Sequence, residues 1–361
     1  MKPQDIAIGL LVAIGAVGFS AHGEHLIIAN ESGGSVLPTN QGGNVASYTI
    51  GADGSLTPAP GSPVVAGTKP VSVAIDPGGR FAYVANCGGS NNISGYRIAP
   101  IGSLNPIYGS PFPAGDLPWS VTVDPTGRYV YVVNEGGKSV SGFKIGADGA
   151  LSEVPHSPFR VENDPRCAVV EETGKYAYIV NAASNNVSAF EINPDGGLTP
   201  IPGAPFPAGI FPRSITTVAH TRFLYVANQV SDDVSGFKIA QDGTLVSIPG
   251  SPFAAGVAPY FIAASGTTKI VCVTSEGSDA LSVFSINPDG GLSPLEGSPF
   301  VTGSDPTGVT IDPSGRFIYV ANRVGNNISA FRLNPDQSLQ PLPGSPFSED
   351  LGPFGLACAP D

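Results

Sequence analysis

One short segment closes on asparagine again and again along the chain. It reads LIIAN ending at Asn30, YVAN at Asn86, YVVN at Asn134, YIVN at Asn181, YVAN at Asn228 and YVAN at Asn322, with VCVTS ending at Ser275 in the one remaining place. After a first interval of 56 residues the period settles at 47 or 48. A second marker keeps step with it: Pro63, Pro111, Pro158, Pro205, Pro252, Pro299 and Pro346, six of them followed by Phe. Two markers in phase, seven copies of each, mean seven units. Self-similarity at this period belongs to solenoids, propellers and arrays.

Composition narrows the kind of unit. Gly (47) and Pro (36) are the poorest helix formers, so long helices cannot dominate this chain. With 41% hydrophobic and 13% charged residues it carries ample apolar material for a core. Glycine does not recur at every third position, which excludes a collagen helix. The third unit shows what remains. Ser120–Asp124 alternates, DPTGR turns, Tyr129–Asn134 returns, Val140–Ile145 runs out again, and GADGA turns into Leu151–Pro155. Glycine supplies the positive φ that such hairpin turns need. The proline after each fourth strand removes an N–H donor from an open sheet edge. Four strands in each of seven units predict an all-β fold, a seven-bladed β-propeller with four antiparallel strands per blade around a central channel.

Closure of the ring accounts for both termini. First strands follow Pro70, Pro118, Pro165, Pro212, Pro259, Pro306 and Pro353, which is already seven. The last, PFGLACAP, has no second strand after it, and HLIIAN (25–30) needs a first. The C-terminal strand is therefore expected to complete the N-terminal blade. Residues 16–30 can also be laid on 72–86, which would make Ala16–Phe19 a strand, but the count of seven leaves it no place. Residues 1–21 are then surplus. Ile6–Phe19 is a 14-residue apolar and glycine run after Lys2, too short for a spanning helix and suited to a secretory leader. The expected organisation is a leader or anchor at 1–21, one propeller domain at 22–361, an exported monomer, and membrane contact only through an uncleaved N-terminus.

The same topology predicts where chemistry sits. In each blade the residue opening the first strand and the residue leaving the second lie side by side on one rim near the axis. The pairs are Phe354/Glu31, Val71/Cys87, Trp119/Glu135, Arg166/Ala182, Arg213/Gln229, Tyr260/Glu276 and Thr307/Arg323. In a chain so sparing of charge, this rim gathers three Arg, three Glu and the only Trp. The opposite rim carries near-identical DPxGR turns with Arg80, Arg128 and Arg316. Variation over one face and monotony over the other mark a ligand face on a scaffold. Guanidinium donors among aromatic faces suit a carboxylate, a lactone or a sugar acid. A solvated ring of ion pairs, each worth roughly 0–1 kcal/mol, is the plainer alternative.

Other chemistries find no footing. A net charge of −12 opposes a nucleic-acid partner. His22, His25, His156 and His220 share no repeat position, and Cys87, Cys167, Cys272 and Cys358 lie far apart, so neither a metal site nor a disulfide framework is expected. The Asp-Gly turns lack the alternating acids of a calcium loop. No GxSxG, P-loop or dinucleotide fingerprint occurs, and no cofactor is expected.

The unit DPxGRxxYVxN…NxxSxFxIxxDGxLxxxPGSPF resembles the seven-bladed lactonase family, which includes bacterial 6-phosphogluconolactonases and fungal muconate lactonizing enzymes, and the wider YVTN-repeat propellers. The resemblance covers about residues 24–360. It implies a His, an Arg and a Glu in adjacent blades and then a further Arg, all on the rim described. In one register Arg213 matches the Arg, with Arg166 at the His, Gln229 at the Glu and Glu276 at the last Arg. One blade on, Glu276 and Arg323 match, with Tyr260 at the Arg and Arg213 at the His. Neither register supplies the His.

Two functional expectations follow. The first is a metal-independent lactone hydrolase acting on a sugar-acid lactone, with Glu276, or as second choice Glu135, activating water and Arg323 and Arg213 holding substrate and oxyanion. Arg166, Glu135, Trp119, Tyr260, Gln229 and Glu31 would bind the substrate. The second is a non-catalytic exported propeller that binds a small anion, a glycan or a protein on the same rim.

Overall fold

The second strand of every blade is apolar almost throughout, because both of its faces are covered. In Tyr129–Asn134 all six residues are buried. Tyr129, Tyr131 and Val133 pack on Ala177 and Ile179 of the next blade. Val130 and Val132 pack on Phe81, Tyr83 and Ala85 of the blade before. A strand sandwiched in this way reads as a continuous apolar run rather than an alternating one.

A computed structural model of the chain describes residues 24–31, 42–349 and 352–359. These residues form seven antiparallel sheets set around one axis, with no helix long and apolar enough to cross a membrane. The 1–21 segment expected to be a leader, and His22, lie outside the described residues. Each blade runs outward through four strands, as in Pro118–Val123, Tyr129–Asn134, Ser139–Ile145 and Leu151–Glu153. The outer edge carries one addition. A two-residue strand, Phe159–Arg160 in this blade, pairs with the other end of the third strand. The marker proline lies between the two outer pieces, after a cis peptide bond in all seven blades. Where the outer edge is broken, a serine hydroxyl fills the gap: Ser157 Oγ accepts the Gly142 N–H at 3.1 Å, and Ser110 Oγ that of Gly95 at 2.9 Å. The backbone donors of the third strand are thus satisfied without a continuous partner.

The ring closes as the count of first strands requires. Pro353–Ala359 pairs antiparallel with His25–Asn30, from His25 opposite Ala359 to Asn30 opposite Pro353. Blades are numbered here in chain order, with this composite sheet as blade one. Leu26 and Ile28 pack on Phe317 and Tyr319 of blade seven. Ile27 and Ala29 pack on Val73, Ala82 and Val84 of blade two.

The repeated motifs prove to be joints of this frame. The tyrosine in the middle of the second strand donates its hydroxyl to the glycine carbonyl of the next blade's Asp-Gly turn: Tyr83 to Gly149 at 2.8 Å, Tyr131 to Gly196 at 2.9 Å, Tyr178 to Gly243 at 2.8 Å. Tyr319 makes the same bond to Gly54 at 2.9 Å and carries it from blade seven to blade one. The terminal asparagine ties second strand to third, as Asn134 Nδ2 does to Ser139 and Ser141. In the DPxGR turn, Asp124 Oδ1 accepts the Arg128 and Tyr129 N–H groups, both at 2.7 Å. The arginine of that turn lies over the following ring, 5.2 Å from Tyr129 and 5.0 Å in Arg80 over Phe81. These residues recur because every blade needs the same joints.

Removing 353–361 strips His25–Asn30 of its partner on the axial side, leaving it paired only with Asn44–Ile50, and we expect no monomeric cooperative unfolding transition in the truncated chain. Size exclusion with thermal denaturation checks this; an unchanged midpoint would contradict the closure.

Candidate functional site on the axial rim

The backbone builds the rim by one device used seven times. The residue leaving the second strand donates its N–H to the carbonyl of the residue before the opening proline: Glu135 to Leu117 at 2.9 Å, Gln229 to Phe211 at 2.9 Å, Glu276 to Ala258 at 3.1 Å, Arg323 to Asp305 at 2.9 Å. The first strand then carries a bulge. Pro118 faces Asn134, but Ser120 faces Val133, which leaves Trp119 without a partner. Val71, Arg166, Arg213 and Phe354 occupy the same unpaired place. In blades six and seven the shift falls across Tyr260–Phe261 and Thr307–Gly308. Bulges re-aim side chains at barrel rims and next to active sites. Here they bring residues that are far apart in sequence to one hub.

At this level the hub is filled with side chains. Val71, Cys87, Tyr260 and Phe354 form a buried cluster with Trp119 and Phe261 against it. Phe354 meets Trp119 and Tyr260 edge-on, with ring centres 6.0 and 5.9 Å apart. Bulky side chains at several bulges leave a niche of only about 20 Å³ between Trp119, Arg166, Arg213, Tyr260 and Phe354. That is room for about one water molecule. Thr307 does not face the niche; it is buried and donates to the Phe354 carbonyl at 3.1 Å. Burial pushes the Cys87 thiol up to about 11, so it is not a nucleophile at neutral pH.

Three of the four cations around this hub are already neutralised. Arg166 holds Glu135 at 2.8 Å and Asp164 at 2.7 Å. Arg323 holds Asp305 at 2.6 Å and reaches Glu31 at 3.9 Å. Lys69 binds Glu31 at 2.9 Å. Burial lowers the Lys69 ammonium, but its hydrogen bond to Glu31 and the attraction of that carboxylate together outweigh this and hold it above its ordinary value. Arg213 differs. Among the described residues it has no carboxylate partner; its guanidinium donates to the Tyr260 hydroxyl and lies 4.3 Å from that ring and 5.4 Å from the ring of Trp119. Arg166 covers Trp119 as well, at 4.7 Å. The Nε groups of both arginines are buried without a hydrogen-bond partner. Burial, only partly offset by Arg213, raises the Tyr260 phenol, so it remains a proton donor at neutral pH. Desolvation raises the Glu135 carboxyl against the pull of Arg166. Glu276 accepts a hydrogen bond from the Gln229 amide.

The residues expected from the sequence therefore divide. Arg166, Arg213, Trp119 and Tyr260 line one niche. Glu135 borders it through Arg166. Gln229 and Glu276 form a neutral–acid pair in the adjoining blades. Arg323 and Glu31 belong to a separate ion-pair group with Asp305 and Lys69. Lys69, Asp164 and Asp305 were not among the expected residues. They stand at the position before the opening proline, with positive φ in all three. Charge at that register place was the signal that could have found them. Among the described residues no group of three His, Cys, Asp or Glu side chains is placed to hold a metal ion.

Fold and rim together define a seven-bladed propeller whose axial face gathers charged and aromatic side chains from five blades. The seven-bladed β-propeller lactonase family matches residues 16–304, most of the chain, and the chain belongs to that family. Solved structures of the same shape include a candidate 6-phosphogluconolactonase from Bacteroides uniformis, 20% identical with a TM-score of 0.78, covering 93% of this chain and 99% of that one. A candidate 6-phosphogluconolactonase from Bacteroides fragilis is 20% identical at a TM-score of 0.76, covering 93% and 98%. The periplasmic gluconolactonase of Pseudomonas aeruginosa is 22% identical at 0.76, covering 93% and 99%. No protein of curated function matches this chain in sequence.

The Glu135 carboxyl should titrate above the ordinary glutamate range, and higher still in Arg166→Met, which removes the cation that lowers it most. Carboxyl ¹³C NMR across pH 3–8 checks both shifts. An Arg166→Met chain in which Glu135 titrates unchanged would show that the pair does not couple.

Proposed function

We propose that the protein hydrolyses a small lactone on the axial rim, with Arg213 and Tyr260 as the electrophilic pair. The observation that carries this reading is the state of Arg213, a guanidinium lying against two aromatic rings with no carboxylate bound to it among the described residues. Because Arg213 donates to the Tyr260 oxygen, the phenolic hydrogen is free to donate to a substrate carbonyl. Both groups would strengthen their bonds as that oxygen becomes negative, which is where donors accelerate acyl transfer most. Glu276, in the same blade as Tyr260, is the base. It takes a proton from water as the oxygen attacks the carbonyl carbon. It returns the proton to the ring oxygen as the C–O bond breaks, leaving a hydroxy acid. Family membership supports a lactone as the substrate class.

Arg323, expected to hold the substrate carboxylate, is engaged by Asp305, and in this reading it orders the rim. A second reading has its own support: Arg166 and Arg323 paired with acids suit a rim that binds without turnover.

On δ-gluconolactone and a panel of unsubstituted lactones, Glu276→Gln should lower kcat by about 10²-fold. Arg213→Ala should lower it by roughly 10²–10³-fold. Spectrophotometric hydrolysis assays decide the matter: no turnover of any lactone, or unchanged rates in both variants, would end the hydrolase reading and leave the binder.

A further inference from the structure

Single exposed aliphatic side chains are ordinary on a protein surface; a group of them on one functional face is not. In blades two to seven two loop positions flank the rim, one two residues before the opening proline and one two residues after the asparagine, or Ser275, that ends the second strand. In blades two, three, four and seven the first position is Thr68, Asp116, Asn163 and Ser304. In blades five and six it is Ile210 and Val257. The second position is glycine or alanine at Gly88, Gly136, Ala183 and Gly277, but valine at Val230 and Val324. Ile210, Val230, Val257 and Val324 are each more than half exposed. They fall in three consecutive blades, five to seven, and so form one arc on the rim.

The loops that carry this arc are fixed from blade to blade. Val230 donates its N–H to the Ile210 carbonyl at 3.1 Å. Asp232 accepts the Ala258 N–H at 2.8 Å, and Asp279 that of Asp305 at 2.8 Å. The aliphatic side chains are therefore held outward by a hydrogen-bonded frame. Arg213, the one hub cation without an acid among the described residues, opens blade five, inside this same arc.

From this coincidence we infer that the ligand of the rim is amphiphilic: an acyl or carboxylate head on Arg213 and Tyr260, and an aliphatic body lying across Ile210, Val230 and Val257. This inference deepens the proposed function and rests on its assignment of Arg213 to the ligand. The niche beside Arg213 has room for about one water molecule, so a head group reaches Arg213 and Tyr260 from the mouth of the niche and the rest of any ligand lies over the rim. A polyol there would set its hydroxyls against aliphatic carbon. On the charged side of the hub, among the described residues, Arg166, Arg323 and Lys69 are each bound to an acid. Charge and apolar surface thus select the same class of molecule, a medium-chain hydroxy acid or its lactone.

Trp119, the single tryptophan of the chain, stacks on Arg213 and reports on the head-group site. Its fluorescence is titrated with hexanoate, octanoate, decanoate and D-gluconate on the full chain. The expected result is saturable binding that tightens roughly two- to fourfold with each added methylene, as burial of aliphatic surface requires, with gluconate weaker than octanoate. In Ile210→Ser/Val230→Ser, whose exposed positions spare the core, the chain-length dependence should flatten while hexanoate still binds. In Arg213→Gln binding should be lost throughout the series.

A flat series, gluconate binding as tightly as octanoate, or a length dependence that survives Arg213→Gln would overturn the inference. So would a concentration-dependent dimer abolished by Val230→Ser in sedimentation, which would make the arc a contact between copies. Hydrolysis of δ-gluconolactone with a flat series would leave the hydrolase reading standing and remove this one. A steep series with no lactone hydrolysed would do the reverse.

Discussion

The pairing of Pro353–Ala359 with His25–Asn30 is the constraint on which the other features of the ring depend. Every blade buries its second strand against two neighbours, and blade one has neighbours on both sides only because the chain ends meet there. The tyrosine-to-glycine joint between Tyr319 and Gly54 belongs to the same series as Tyr83–Gly149 and Tyr131–Gly196, so the seam is built like the other junctions. A bond of this kind, buried and without a substitute from water, contributes about 1 kcal/mol and costs more to leave half-made. An open ring would leave each of these terms short at one place, and the first strands would no longer converge.

Convergence is what turns repetition into a site. The frame repeats, but the bulge position does not, and it receives Trp119, Arg166, Arg213, Tyr260 and Phe354 from five blades. Most of the charge gathered there is spent on itself. Arg166 and Arg323 have their acids, and such part-exposed pairs order a rim more than they stabilise a fold. Among the described residues Arg213 escapes this neutralisation because it lies against Tyr260 and Trp119, while Glu135 is held by Arg166 and Glu276 by Gln229. A cation left with only aromatic faces for company is poised for an incoming anionic or acyl oxygen.

The architecture was legible in the sequence because its rules are periodic. Asparagine, the SPF proline and the Asp-Gly turn recur wherever a blade needs a strand tie, a split outer edge or an interblade joint, and counting them was enough to obtain seven blades and the closing strand. The rim was legible in its membership only. The residues at the openings of the first strands and the ends of the second do gather near the axis, but register does not reveal which acid a guanidinium selects. Arg323, leaving its second strand, goes to Asp305 before the first strand of the same blade, whereas Arg166 takes Asp164, two residues before it, and Glu135 of the preceding blade. Nor does an alternating pattern show that aromatic side chains such as Phe354 and Tyr260 will fill the hub, because that depends on volumes contributed by separate blades. The split outer strand was likewise invisible, since two residues of ladder leave no periodicity to read.

Native-state hydrogen exchange followed by mass spectrometry tests the closed ring most directly. Peptides spanning 25–30 and 353–359 should exchange as slowly as those of Tyr131–Asn134 and Tyr225–Asn228, and all should open together in denaturant, as one cooperative unit requires. Rapid exchange confined to 353–359, with the other second strands still protected, would show that the seam is not part of the fold, and the convergence of Arg213 and Tyr260 on one hub would lose its basis.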